Sequence, residues 1–298
     1  MSARRRILRA VLALPIVAAA VYGILALSAQ PAPDHPFFAA EKPGVQVIAH
    51  RGGAGLRPES TLAAFAHAVE IGVDVLDTDV RRTADGAIVC IHDATVDRTT
   101  GGSGRVASFR LDELQRLDAG YRWSDDGGRT FPFRGKGIRV PSLEEVFGRF
   151  PAMRFVIEMK DADTSFAQSL CALIRRSGMT AKALIASFGA QSLLDFRSAC
   201  PEVATSLGGA EARMFFAVQR LRLSAAYSPP AAAAQIPYRL GETAVATQGF
   251  VEAAHRRNLK VHVWTVNDEQ QMRQLLQLGV DGMITDRPDR LLDVRRPR

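Results

Sequence analysis

Two histidines, His50 and His92, each close an apolar run, VQVIAH and AIVCIH. Between them an acidic pair, Asp77 and Asp79, stands at alternate positions inside VLDTDV. Side chains two apart on a strand point to one face, so these carboxylates converge. Holding like charges together in an apolar run is costly unless a cation is shared. A third acid, Glu158, lies in FVIEM, and Lys160 follows two residues later. Arg51 comes directly after His50. Carboxylates, two imidazoles, an arginine and a lysine form the inventory of metal-assisted chemistry at a phosphate. Asp77, Asp79 and Glu158 are expected to hold one divalent cation. Oxygen donors alone point to Ca²⁺ or Mg²⁺ and away from structural zinc. His50 and His92 are expected to move protons, as imidazole does near neutral pH. Arg51 offers a fork that matches phosphate oxygens, and Lys160 offers a point charge.

Several neighbours carry competing readings. Glu59 is expected to orient His50 or Arg51, or equally to serve as a charge near a helix N-terminus. Trp264 either lines the pocket or packs in the core. His262, which alternates with Trp264, is expected in the core, and His67 and His255 on helices. Asp286 is expected to fix a loop. Glu145 completes a capping box with Ser142, which explains it without catalysis.

Taken in order, the motifs resemble the glycerophosphodiester phosphodiesterase family from about Val45 to Pro288. They are His50-Arg51-Gly52, Pro58-Glu59-Ser60-Thr61, Asp77-Thr78-Asp79, His92-Asp93 and Asp97-Arg98-Thr99-Thr100. The resemblance implies a (β/α)8 barrel and a divalent cation. It also implies release of glycerol 3-phosphate and an alcohol, often through attack by the substrate's own glycerol hydroxyl. The family usually has Glu where this chain has Asp77, one methylene shorter. It usually has Asn where this chain has Ser60, and since both cap helices well the change is expected to be nearly neutral. The nearest rival activity is lysophospholipase D, acting on lipids that keep one acyl chain. An inactive, tethered phosphoester-binding module is a rival of another class, but no histidine or carboxylate of the motifs is lost.

The elements that position these residues read as an alternation of strands and helices, the pattern of a parallel α/β fold. Strands are expected at Val45–Ala49, Val75–Val80, Phe155–Met159, Ala183–Ser187, Ala204–Leu207, Val261–Val266 and Gly282–Thr285. The Ala-rich region Leu221–Gln235 reads equally as helix or loop. After the second strand a hairpin at Asp85-Gly86 opens an insertion over about 92–141. In (β/α)8 barrels chemistry gathers at the C-terminal strand ends, where the acids, His50 and Lys160 fall.

Residues 45–298 are thus one barrel domain, a normal size for that fold. Residues 1–29 form a separate N-terminal unit. Arg4, Arg5, Arg6 and Arg9 precede twenty uncharged residues, Ala10–Ala29, about a bilayer's thickness as a helix. The expectation is a single-pass anchor with the barrel outside the cytoplasm, at the cell membrane. A cleaved signal peptide, leaving a secreted or periplasmic enzyme, is the alternative. Residues 30–44 read as a Pro-rich linker. The net charge of +7 falls to +3 without those four arginines (7 − 4), which removes the case for a nucleic-acid partner. No protein partner can be inferred. Three cysteines suggest no disulfide framework.

Overall fold

Each barrel strand is a short apolar run whose alternate side chains go inward and outward, and that parity sets the architecture. The computed structural model describes residues 3–39 and 44–296, with side chains from Ile16 onward. The strands are β1 (Gln46–Ala49), β2 (Val75–Arg82), β3 (Ile88–Cys90), β4 (Arg154–Met159), β5 (Ala183–Ala186), β6 (Ala204–Thr205) and β7 (Ala233–Pro237). A small hairpin, β8 (Arg239–Leu240) and β9 (Thr243–Ala244), precedes β10 (Lys260–Trp264) and β11 (Gly282–Thr285). Eight of them run parallel in the order β6-β5-β4-β2-β1-β11-β10-β7. A bridge from Ser206 to Ala233 brings the two ends together, so the ring is nearly closed. The (β/α)8 expectation holds. The unreadable stretch Leu221–Gln235 contains a 3-10 turn at Ser224–Ala226 and then β7, the missing barrel strand.

Helices α1 (Ala3–Ser28) and α2 (Pro36–Ala39) precede the barrel. The others are α3 (Leu62–Glu70), α4 (Leu111–Leu114), α5 (Leu143–Arg149), α6 (Thr164–Arg176), α7 (Ala190–Ala199), α8 (Gly209–Arg220), α9 (Gln248–Arg256), α10 (Glu269–Leu278) and α11 (Pro288–Arg295). Outward strand residues such as Val47, Phe155 and Val263 pack with helix residues such as Phe65 and Leu170 in the main core. Inward residues Ile48, Val75, Val156, Leu184, Ala204, Ala233 and Ile284 fill the barrel's lower layer. The insertion has a core of its own, including Val89, Val96, Val106 and Leu114. Its first strand, β3, folds back antiparallel on β2, with Cys90 beside Val80.

Two expectations change. The linker is not a free spacer: Phe37 is fully buried among the inward residues and plugs the barrel floor. Burying a side chain of that size contributes about 2 kcal/mol. Residues 40–43 of the expected linker lie outside the described residues. Cys171 in α6 and Cys200, which caps α7, form a disulfide with Cα atoms 5.7 Å apart, leaving Cys90 buried and free. Among the described residues no helix is long and apolar enough to cross a membrane. The side chains of residues 1–15, half of the expected anchor, lie outside the described residues.

The cap of α3 also differs from the near-neutral reading of Ser60. Thr61 is the cap: its Oγ1 accepts the Ala64 amide at 3.2 Å. Ser60 stands before it with φ +55, buried, its hydroxyl without a partner. That left-handed conformation penalises most L-residues and favours asparagine. Ser60→Asn should therefore stabilise the barrel by about 0.5–1 kcal/mol, raising Tm by ~2 °C in thermal denaturation. A fall in Tm would show that the buried amide finds no room.

Candidate active site

The same parity that fills the barrel delivers the polar residues. Each lies two or four positions beyond an inward core residue, one or two layers higher. His50 follows Ile48, Asp77 and Asp79 follow Val75, Glu158 and Lys160 follow Val156, Trp264 follows His262, and Asp286 follows Ile284. Asp79 and Glu158 are register partners on β2 and β4, so they stand side by side. His92 arrives by a different route. It lies just past β3 in the insertion, which turns back over β2.

His50 sits in a one-turn 3-10 segment whose tightness depends on Gly52. A Cβ on Gly52 would lie 2.9 Å from Ala64 Cβ and 2.9 Å from the Phe65 ring, and its φ is +79. Only glycine allows α3 to approach this closely. His50 Nδ1 is 2.6 Å from Asp286 Oδ1. An ionised carboxylate only accepts, so Nδ1 donates and Nε2 is left for proton transfer. Burial pulls the His50 pKa down, but the Asp286 hydrogen bond and the charge of Asp77 outweigh it, and the net shift is upward. Asp286 in turn takes a hydrogen bond from Asn267 at 2.7 Å. Burial raises its pKa, yet His50 pulls the net value below the ordinary range. Asp286 is therefore more than a loop anchor: it orients a catalytic candidate.

His92 is built the same way. Its Nδ1 lies 2.6 Å from Asp93 Oδ1, leaving Nε2 free. A hydrogen bond from Arg98 holds the Asp93 pKa down to about 2. Arg98 also grips both oxygens of Glu59 at 2.7 Å, and Glu59 accepts from Arg51 at 2.9 Å. Glu59 thus orients Arg51, one of its expected roles, and Arg98 ties that pair to the His92 dyad. Arg81 supports the loop from below, donating to the His92 carbonyl at 2.9 Å and to Asp161 at 2.9 Å.

The three acids sit at the centre. The Arg51 amide donates to Asp77 at 3.1 Å. Lys160 Nζ lies between Asp79 Oδ1 at 3.0 Å and Glu158 Oε1 at 2.7 Å. Arg51 Nε is 3.1 Å from Asp79 Oδ2, at an angle that makes no hydrogen bond, and both atoms are buried without another hydrogen-bond partner. Burial pushes Asp77 up to about 7, with His50 opposing and Asp79 adding to the rise. Burial also raises Glu158, against the pull of Lys160. Among the described residues, the group of possible ligand atoms all within 4.8 Å of one another is Cys171, Cys200 and Glu202, where the sulfurs are bonded to each other. The acids encircle their spot without closing on it. Oxygen donors, an orphaned carboxylate oxygen and two acids resisting ionisation still fit a hard divalent cation.

The remaining candidates divide. Trp264, half-buried at the end of β10, packs on the inward layer of the barrel and also stands edge-on to the exposed Phe188, with ring centres 5.9 Å apart. His262 is core, as expected, with burial pushing it down to about 4. Glu145 completes the capping box of α5.

The sequence pattern of the glycerophosphoryl diester phosphodiesterase family matches residues 50–290. The chain belongs to that family. It is 34% identical over 255 residues to the glycerophosphodiester phosphodiesterase of Caldanaerobacter subterraneus subsp. tengcongensis, covering 84% of this chain and 97% of that one. Lysophospholipase D of Mus musculus is 26% identical over 282 residues, covering 83% and 84%. A phosphodiesterase from Oleispira antarctica, solved with the product sn-glycerol-3-phosphate, is 25% identical with TM-score 0.62, covering 84% and 96%. The family works with a divalent cation, in keeping with the acid trio.

Proposed function

We propose that the barrel hydrolyses glycerophosphodiesters to glycerol 3-phosphate and an alcohol, with His50 and His92 as its acid–base pair. The observation that carries this is the matched build of the two histidines. Each has Nδ1 pinned to a carboxylate and Nε2 free, one on the barrel and one on the insertion. One takes the proton from the attacking hydroxyl, of water or of the substrate's glycerol. The other gives a proton to the departing alkoxide, so charge never accumulates on either oxygen. Arg51 and Lys160 bind the non-bridging phosphate oxygens. Asp77, Asp79 and Glu158 would hold the cation, Ca²⁺ or Mg²⁺, which when bound offsets the phosphate's negative charge.

Lysophospholipase D remains the second reading, favoured by the mouse relative of that name. It needs an apolar wall for an acyl chain, and several aromatic residues of the insertion and of α8 that could supply one are otherwise engaged. Phe215 is fully buried and Phe216 packs on the main core. Tyr121 and Phe131 sandwich the Arg134 guanidinium, 4.1 and 3.9 Å from the ring centres. Trp123 donates to the Ala54 carbonyl and stacks edge-on with Phe133. That favours deacylated diesters as the substrates, with Phe188 and Trp264 the apolar surface left at the mouth.

Location belongs to the same reading. The uncharged run Ala10–Ala29 behind four arginines supports a membrane anchor with the barrel on the extracytoplasmic side. A disulfide suits that oxidising side. A truncated chain should begin at Gln30, so that Ala32 and Phe37 keep their places on the barrel. With Ca²⁺ or Mg²⁺ it should cleave glycerophosphocholine, read as free choline. If it cleaves lysophospholipids alone, the second reading replaces the first.

A further inference from the structure

From the way the chain enters the barrel, we infer that the bilayer lies against the barrel floor and the active-site mouth points directly away from it. The inference rests on the anchor reading above and deepens it, because it selects the source of substrate. Residues between α1 and β1 do not form a loose tether. The Gln30 amide donates to Ser228 Oγ at 3.1 Å, and the Ala32 amide to the Arg257 carbonyl at 2.9 Å. Asn258 Nδ2 holds the Ala32 carbonyl at 2.8 Å and Asp34 at 2.9 Å. Phe37 then plugs the floor. Ser228, Arg257 and Asn258 all lie in connections that lead from a helix into the next strand, at the end opposite the catalytic residues. A barrel strapped this way is not free to turn over on its anchor.

The level of the membrane follows from α1. Tyr22 Oη reaches the Arg222 carbonyl at 3.4 Å, so this turn of α1 stands beside the segment joining α8 to β7. Tyrosine favours the headgroup level; with Tyr22 there, Ala10–Val21 is left to span, ~18 Å as a helix, so the flanking arginines must reach to the far interface or the bilayer must thin. From Tyr22 to the helix end at Ser28 is about 9 Å. The neighbouring segment exposes Leu221 at 68% and Leu223 at 38%, flanked by exposed Arg220 and Arg222. Two leucines at headgroup depth with arginines beside them suit an anionic lipid surface. The six residues of β4 place the mouth ~20 Å above the floor. A lysolipid in the same leaflet would have to leave the bilayer to reach it, whereas a deacylated diester arrives from solution.

The chain's two tryptophans, Trp123 and Trp264, both stand at the mouth, which makes the orientation measurable. The full-length protein would be reconstituted into vesicles of brominated phosphatidylcholine with phosphatidylglycerol. The expected result is co-flotation with the vesicles and native tryptophan emission within ~10% of that in unbrominated lipid. Leu223→Trp, and separately Leu221→Trp, should each add emission that bromine quenches by half or more. Native emission quenched to that extent would put the mouth on the membrane and overturn the inference. Unquenched emission from both variants would overturn it as well. Protein that does not float would remove the anchor and this inference together. In the same vesicles, dissolved glycerophosphocholine should turn over at least ~10-fold faster than lysophosphatidylcholine, and the reverse ratio would count against the orientation. Inactivity on both, with the quenching pattern as expected, would overturn the diesterase function and leave the orientation standing.

Discussion

His50→Ala and His92→Ala should each lower kcat by at least about 10²-fold, and up to 10⁴-fold, with the fold intact. Both side chains are part-exposed at the mouth, so truncating either leaves no cavity in the core. Circular dichroism and Tm should stay close to the native values while turnover collapses. The double variant should cost little more than the worse single one, because acid and base act within one displacement and their losses do not add. Asp286→Asn probes the orientation of His50 without removing it. Loss of a partner that fixes the imidazole should cost on the order of 10-fold to 100-fold, short of the alanine effect. Near-native turnover in either alanine variant would remove that histidine from the mechanism.

Dialysis against chelator should abolish activity, and a hard divalent ion should restore it. Asp79 is the acid on which this turns: it is buried, faces Arg51 and Lys160, and has an oxygen with no hydrogen-bond partner. Asp79→Asn should raise the ion concentration needed for half-maximal rate by about 10-fold or more. Asp77→Glu, the residue usual in the family, should retain activity and hold the ion at least as tightly, since the longer side chain reaches further toward the centre. Full activity in excess chelator after dialysis would rule out the cation's role.

The parallel α/β class could be read from the alternation of strands and helices, and the eight-stranded barrel from the family resemblance. Asp77 and Asp79 are legible as alternate residues on one strand face, and His50, Glu158 and Lys160 as residues at strand ends, where a barrel of this kind gathers its chemistry. What escaped was whatever depends on contacts distant in sequence. Asp286 read as a loop anchor because nothing near it names His50, which lies 236 positions away. Arg98 stood inside a recognised motif, yet its grip on Glu59 exists only once the insertion has folded over β1. The Cys171–Cys200 bond joins helices 29 residues apart with no spacing rule to announce it. Phe37 was hidden by the prolines around it, which suggest an extended spacer, whereas its buried ring is decided by the hole in the barrel floor. The strand at Ala233–Pro237 was missed because alanine gives no amphipathic signal, and the lower barrel layer has room there for little else.

The two imidazoles belong to different bodies. His50 rides on the barrel wall, while His92 rides on an excursion with its own apolar centre, tied to the wall by β3, the Arg98–Glu59 ion pair and the hydrogen bond from Arg81 to the His92 carbonyl. One half of the proton relay is thus fixed by the scaffold, and the other is carried by the part of the molecule that roofs the entrance. A lineage that remodels the roof to admit a bulkier alcohol necessarily shifts one proton carrier with it. Diversification of substrate and tuning of reactivity are then a single evolutionary variable, located in residues 83–141, while the wall beneath keeps its chemistry unchanged.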